Sequence, residues 1–456
     1  MARTLVPVDS RRLVHPLSYV REEMGWTYQD VVDIVNRRRT REGGRVAKGT
    51  RQTAWQWEHK GRTPNFETQL LLADELGISR ARVQEATWPA WLPTGPVIYA
   101  DAPWTPQGAL RQLGDAAGAA VTDRREFLLL SAGAVTSLAG EWLLVGPSGP
   151  VHNIARGSRI GESLVGQLEA DVVSVRRTDA VLGGGRARKI ADAHLELVID
   201  LLQHGTYTEA IGLRLYGVAA EFARIAGWAC FDAGYHAAAE RYWASGLRAA
   251  QCAGDRAQGA NILKCMSLQR VDTDNPKAAL DLAVAAYHAT DAAPPRVRAM
   301  LACRVARSHA ALGDAPACIK AIGEAEKFMA KAPGEPAPGW AAYFDTAEFS
   351  AQVAACFLLL EDHAQAGLML DQTLALQPAD RRRDRDTYLI WQATVAQNLN
   401  DLDRACDQVS QAMPGIVHGT SARNRARLDT IYGQLTQHDT EPVRALAAQY
   451  RELQAV

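Results

Sequence analysis

From Pro16 onward, apolar residues recur three and four positions apart, the spacing of a single helix face. Leu17, Val20 and Met24 mark a first helix, and Val31, Ile34 and Val35 mark a second. Thr27 stands where the second needs its N-cap, and Asp30 complements its positive end. The polar, glycine-bearing stretch RTREGGRVAKG interrupts the pattern and predicts a loop. TRQTAWQWEHKGRTP resumes it as a short helix, capped by Thr50 and stopped by Gly61 and Pro64. NFETQLLLADELGIS gives a further helix that buries Leu70, Leu71, Ala73, Leu76 and Ile78.

The pattern then lapses. TWPAWLPTGPVIYADAPWTPQG, from Thr87 to Gly108, carries five prolines and three tryptophans. Proline fixes φ and removes a donor, so no regular helix is predicted there. Trp88, Trp91 and Trp104 predict a linker that packs on something. Next comes TDRREFLLLSAGAVTSLAG, Thr122 to Gly140, which reads like a twin-arginine export signal. Such a signal is a receptor-read address that belongs near a terminus, and here a basic helical segment precedes it. The expectation is instead a connecting helix from Asp123 to about Leu144, with Asp123 as its cap. Phe127, Leu130, Ala134 and Leu138 would line one face, packed on the repeats or on a second copy, with Arg124 and Arg125 at the junction.

Beyond about Ala191 the chain is alanine-rich and helix-like, and a fixed period emerges. The segments Ala226–Leu247, Asp274–Ala286, Leu312–Glu326, Leu360–Pro378 and Leu399–Met413 each place a small residue early in a helix, at Ala239, Ala279, Cys318, Ala366 and Ala405. These positions are 40, 39, 48 and 39 residues apart. Small residues at such points let the two helices of a hairpin approach closely. The stretch Ala180–Gly205 reads as an atypical leading hairpin. Its GGGRARK lacks both the spacing of a phosphate loop and a preceding strand.

Composition narrows the function more than the fold. The 456 residues carry a net charge of −1, but from Asn36 to Arg62 nine basic residues face only Glu42 and Glu58. A local basic stretch attracts a polyanion whatever the overall balance. The seven cysteines form no CxxC pair and stand in apolar surroundings, as small buried thiols of a reducing compartment do. The amino terminus has no long apolar core, and no uninterrupted apolar run would span a membrane. A cytoplasmic location is expected. No HExxH, G-x-S-x-G or Rossmann fingerprint is present and the histidines are scattered, so no enzyme activity, metal or cofactor is expected.

The candidate chemistry lies on the third helix. Arg51, Gln52 and Gln56 share one face, and such forked side chains suit base edges in the major groove. Ala54 and Trp57 point the other way. Thr50, Thr53 and Trp55 lie near the readers, while Arg45, Lys48, Lys60 and Arg62 are placed for phosphate contacts.

Trp57-Glu58, Lys60-Gly61 and Pro64 follow the pattern of phage-repressor-type (Xre-like) helix-turn-helix regulators, and the LLLADELGIS that follows resembles their next helix. The chain departs from them in its roughly eleven-residue loop, where the family has a tight turn. The repeats resemble tetratricopeptide repeats, with a Leu-Gly-Asp type of turn and a longer period. The order of the parts is similar to that of actinobacterial developmental regulators and peptide-sensing quorum regulators. The resemblance implies an all-α fold: a helix-turn-helix domain over residues 1–86, a Pro/Trp-rich linker and connecting helix over 87–150, and a tetratricopeptide-like solenoid over 151–456. It implies a homodimeric transcriptional regulator that binds double-stranded DNA and senses a signalling peptide, small ligand or protein partner in the repeat concavity. A repeat scaffold without DNA binding is the alternative.

Overall fold

The computed structural model describes residues 15–23, 26–41, 49–75, 83, 87–89, 91–92, 103–118, 132–146, 149, 151–154, 158–182, 184–378 and 381–454. Among these the chain is all-α, apart from one two-residue antiparallel pairing, a single bridge of Arg159 to Thr206 beside it, and one 3-10 turn. Its contacts divide it into two units; of the described residues, the first holds those up to Leu92 and the second those from Pro103 on.

The first unit holds α1 (Pro16–Glu23), α2 (Tyr28–Arg41), α3 (Arg51–His59) and α4 (Phe66–Glu75). Their starts are local. The Thr27 N–H donates to Asp30 Oδ2 at 2.7 Å while the Asp30 N–H donates to Thr27 Oγ1 at 3.2 Å, a reciprocal cap on α2. Asn65 Oδ1 accepts from the Thr68 N–H at 2.8 Å and opens α4. Leu17, Val20, Val31, Val32, Ala54 and Leu72 meet in one apolar core. Trp91 joins it, its indole N–H donating to Gln69 Oε1 at 2.8 Å. Helix α2 runs through Arg41, past Arg39 where a loop was expected. The cause is Arg39 itself. It is buried, with Nε on Glu67 Oε1 at 3.0 Å and Nη2 on Thr68 Oγ1 at 3.2 Å, which ties the last turn of α2 to α4. Met24, Leu76 and Ile78 lie outside the described residues.

The second unit opens with α5 (Pro106–Gly118), which begins inside the stretch where no helix was expected. Proline is favourable at the first helical position, so Pro106 starts the helix and does not break it. Ala109, Gln112, Leu113 and Ala116 are its buried face, against the helices Gly184–His204 and His236–Cys252. Of the expected connecting helix the described part is α6 (Ala132–Leu144); Asp123, Arg124, Arg125, Phe127 and Leu130 lie outside the described residues. Helix α6 packs on the repeats through Val135, Leu138, Ala139 and Trp142. Trp142 lies where a Cβ on Gly259 would come within 2.5 Å of it, so only glycine fits there. Arg256 donates to the Trp142 and Val145 carbonyls at 2.6 and 2.9 Å, satisfying the carboxyl end of α6.

Two long helices follow, α7 (Glu162–Leu182) and α8 (Gly184–His204), flanked by β1 (Asn153–Ile154) and β2 (Thr206–Tyr207). Five helical hairpins come next: α9 (Glu209–Asp232) with α10 (His236–Cys252), α11 (Arg256–Asp272) with α12 (Pro276–His288), and α13 (Pro295–Ala311) with α14 (Ala315–Lys331) complete the first three. The fourth is α15 (Thr346–Leu359) with α16 (His363–Leu376), and the fifth α17 (Arg382–Asn398) with α18 (Leu402–Val417). Helices α19 (Ala422–Leu435) and α20 (Glu441–Gln454) end the stack. Ala239, Ala279, Cys318, Ala366 and Ala405 are all fully buried where the second helix of each hairpin meets the first. The one long interval, between Cys318 and Ala366, holds a 3-10 turn at Gly339–Ala341. All seven cysteines are buried, and none is in a disulfide. No helix among the described residues is long and apolar enough to cross a membrane.

Each hairpin turns through one left-handed residue: Gly234, Asp274, Gly313, Glu361 and Asn400, with φ between 56° and 85°. In four of the five the next residue is Asn275, Asp314, Asp362 or Asp401, whose side chain caps the second helix. Left-handed backbone costs an ordinary L-residue roughly 1–2 kcal/mol, glycine little and asparagine less than most. Glu361→Gly is therefore expected to raise stability by about 0.5–1 kcal/mol after the entropy glycine adds to the unfolded chain, and Asn400→Gly to be nearly neutral. Chemical denaturation of the two variants checks this order.

The stack coils back on itself. Ser421 Oγ donates to Asp232 Oδ1 at 2.8 Å, and Arg423 Nε donates to Asp272 Oδ2 at 2.8 Å. The Arg423 guanidinium lies 4.2 Å from the centre of the Phe231 ring. Helix α19 thus meets the carboxyl ends of α9 and α11, and the inner face is the side on which first helices of the hairpins carry buried polar residues, among them Arg270 on α11, Arg304 and Arg307 on α13 and Gln392 on α17.

Candidate nucleic-acid interface

Helix α3 is short, and its ends are fixed by its own sequence. Thr50 has extended backbone, φ −116° and ψ 164°, and its N–H donates to Thr53 Oγ1 at 3.2 Å. Thr53 thus serves the cap, and it is half-buried. At the other end the Lys60 N–H returns to the Gln56 carbonyl at 3.0 Å, and Gly61 takes φ +61°, a left-handed stop.

The two faces of α3 separate as expected. At about 100° per residue, Arg51, Trp55, Gln52 and Gln56 fall within an arc of about 140°, with Ala54 and Trp57 outside it on the far side and Glu58 at its edge, about 20° from the direction of Arg51. Ala54 is fully buried and Trp57 packs on the core. Arg51 and Gln52 are exposed, and Trp55 and Gln56 half-buried. Lys60 and Arg62 are exposed just past the helix. No carboxylate among the described residues pairs with Arg51, Lys60 or Arg62. Trp55 stacks on His59, ring centres 4.9 Å apart and 7° from parallel, with Lys60 Nζ 5.7 Å from the indole centre. The result is a flat aromatic platform edged by Lys60, between Arg51 and Gln52 on one side and the exposed Lys60 and Arg62 on the other.

One residue that the sequence reading treated only as part of a motif holds the site together. The Glu58 side chain is 4% exposed. Its Oε2 accepts from Arg21 Nε at 3.3 Å and its Oε1 from the Tyr28 hydroxyl at 3.0 Å. The Arg21 guanidinium lies 4.3 Å over the Tyr28 ring and donates to the Trp26 carbonyl at 3.2 Å. A single carboxylate on α3 thereby fixes α1 and the start of α2. The basic count also changes. Arg39 is spent internally on Glu67 and Thr68, whereas Arg37 is exposed. Arg45 and Lys48 lie outside the described residues.

No family model matches the chain, and no curated protein is significantly similar to it.

The repeats hold a second group of side chains that sequence reading passed over. Arg304 and Arg307 on α13, Glu348 and Gln352 on α15, Tyr388 and Trp391 on α17, and Arg423 and Arg427 on α19 all belong to the inner face, with Asp272 at the end of α11. Glu348 is held by Tyr388 and Gln352, which donate to it at 2.7 and 2.8 Å. Burial, with Asp384 nearby, pushes its carboxyl up to about 7. A signal was present: arginines recurring in the otherwise apolar PRVRAMLACRVARSHAA of α13 have no solvated face to occupy.

Proposed function

We propose that the chain is a sequence-specific DNA-binding transcriptional regulator. It reads double-stranded DNA with α3 and acts in the cytoplasm as a homodimer, and its repeats bind a signalling peptide, small ligand or partner. The observation that carries this is the division of α3: a polar, forked face without partners among the described residues, on a helix anchored to the core through Ala54 and Trp57 and to α1 and α2 through Glu58. What distinguishes this face from an ordinary solvated one is the stacked Trp55–His59 pair with Lys60 at its edge, set beside the forked side chains. Arg51 offers its fork to the two acceptors of guanine; Gln52 and Gln56 match the donor-acceptor pair of adenine. Lys60, Arg62 and Arg37 supply sequence-independent phosphate contacts. A dimer would place two α3 helices in successive major grooves about one helical turn apart. A ligand in the repeats would then act by changing the spacing of the two heads.

Phosphate contacts release counterions, so binding must weaken with salt. With three or more such contacts per head, log affinity is expected to fall against log salt with a slope of about −3 or steeper. Fluorescence anisotropy of the full chain on a labelled duplex, from low to physiological salt, measures it. Absence of binding at low salt, or a flat profile, contradicts the proposal.

A further inference from the structure

We infer that the inner face of the repeat stack is an oxyanion-binding site, built by Arg304, Arg307, Arg423 and Arg427, that recognises a small ligand through its phosphate or carboxylate group. The inference deepens the ligand-binding role proposed for the repeats and is independent of DNA reading by α3.

The case starts with Arg304. It is 6% exposed. Its Nε and Nη1 are fully covered, and no acceptor among the described residues reaches either. Arg307, one turn along α13, is 7% exposed, and its Nε is covered and likewise unmatched. Its Nη1 reaches Gln352 Oε1 only at 3.4 Å. Burying a guanidinium without acceptors costs several kcal/mol as an order of magnitude, so folds rarely leave two side by side.

The neighbourhood adds positive charge without balancing it. Asp272 is the acid nearest the four arginines, and Arg423 holds it, with Nε at 2.8 Å and Nη2 at 2.7 Å from Oδ2. Arg427 Nη2 stands 3.8 Å from the same oxygen and its Nη1 donates to Asn424 Oδ1 at 3.2 Å. Glu348, the next carboxyl on the inner face, is engaged with Tyr388 and Gln352. The guanidinium carbons of Arg307 and Arg427 each lie 5.6 Å from the centre of the Trp391 ring, which draws the two arginines, from α13 and α19, to one aromatic surface. Among the described residues four guanidinium groups thus face two carboxylates, Asp272 and, acting on Arg427, Asp232, which Ser421 and Arg383 also engage. The charges respond accordingly. Burial first, then Arg304, pushes Arg307 down to about 10. Burial first, then Arg423, pushes Arg427 down to about 9.

Guanidinium forks match the geometry of phosphate and carboxylate oxygens bidentately, and the bonds are strongest where water is excluded. An oxyanion between α13 and α19 would satisfy the unmatched N–H groups and the excess charge together. The Arg427 side chain keeps 24% of its exposure, which gives the cluster a solvent-facing side at α19. Because α13 belongs to the third hairpin and α19 follows the fifth, an anion bridging them would draw the coil of the stack closed.

The test uses the full chain and simple probes: inorganic phosphate, pyrophosphate and succinate, each at constant ionic strength against a chloride baseline. Thermal unfolding and titration calorimetry are the readouts. At least one probe is expected to raise the unfolding temperature saturably beyond chloride. Arg304→Met with Arg307→Met, folded by circular dichroism, is expected to weaken that probe at least about tenfold. If the double variant does not fold, Arg304→Lys, which keeps the charge and loses the fork, is expected to weaken it several-fold. A response to the phosphates assigns a phosphate-bearing ligand; a response to succinate assigns a carboxylate-bearing one, such as a peptide end. No saturable shift with any probe overturns the inference, as does a shift undiminished in the folded variants. Neither outcome bears on DNA binding by α3.

Discussion

Glu58→Ala is expected to cost the amino-terminal unit about 2–4 kcal/mol and to abolish DNA binding with it. The carboxylate is 4% exposed and the Arg21 side chain 19%, so solvent cannot replace what the substitution removes. Arg21 would be left with the Trp26 carbonyl and the Tyr28 ring, and the Tyr28 hydroxyl would lose its acceptor. Stranding one member of a buried pair costs more than the pair itself contributes, because the remaining charge stays desolvated. A unit of this size has only a few kcal/mol in hand, so α3 would lose its fixed bearing on α1 and α2. Glu58→Gln keeps an acceptor for Tyr28 and gives up the charge, so an intermediate loss follows. The check is thermal unfolding followed by tryptophan fluorescence, Trp26 and Trp57 being packed on this core. The transition of the first unit should move and that of the repeats should not. A change under about 0.5 kcal/mol, the ordinary range for a surface substitution, would show that the ion pair does not hold the unit.

The parts of this molecule that follow from short-range chemistry were legible in its sequence. Thr27 with Asp30, Thr50, and Gly61 mark helix ends because a cap is decided within three or four residues. Ala239, Ala279, Cys318, Ala366 and Ala405 revealed the hairpins because close helix packing requires a small side chain at a fixed place. The Arg51 face of α3 was visible for the same reason, since one turn of helix sets which side chains share a side. The rest depends on contacts far apart in the chain. Glu58 meets Arg21 across 37 residues and Arg39 meets Glu67 across 28, and no local pattern separates these charges from solvated ones. Helix α5 was hidden by the prolines around it, since proline both ends helices and starts them. The two-residue pairing of β1 with β2 joins segments about fifty residues apart and carries no periodic signal. The inner face was missed because alanine-rich amphipathic helices were read for their apolar stripe alone. Its polar residues become a buried site only when the coil brings α19 back to α9.

Arg51→Ala with Gln56→Ala is expected to remove sequence selection while leaving the fold and the weaker, salt-sensitive attraction to any duplex. Each good forked pair with a base contributes about 1–3 kcal/mol of discrimination, so losing two reduces selectivity by at least about thirtyfold. Both side chains lie on the face opposite Ala54 and Trp57, so the core is not disturbed. Lys60 and Arg62 stay in place to hold phosphates, which keeps non-specific binding nearly unchanged. A substitution at Lys60 should do the reverse, weakening binding to all sequences alike.

The most direct test is selection from a random duplex library with the full chain, sequencing the bound fraction for wild type and for the Arg51→Ala/Gln56→Ala variant. The account predicts that wild type enriches a motif of two half-sites about one helical turn apart, and that the variant binds at low salt without enriching any motif. Recovery of the same motif by the variant, or no motif with wild type, would contradict the assignment of α3 as the element that reads DNA.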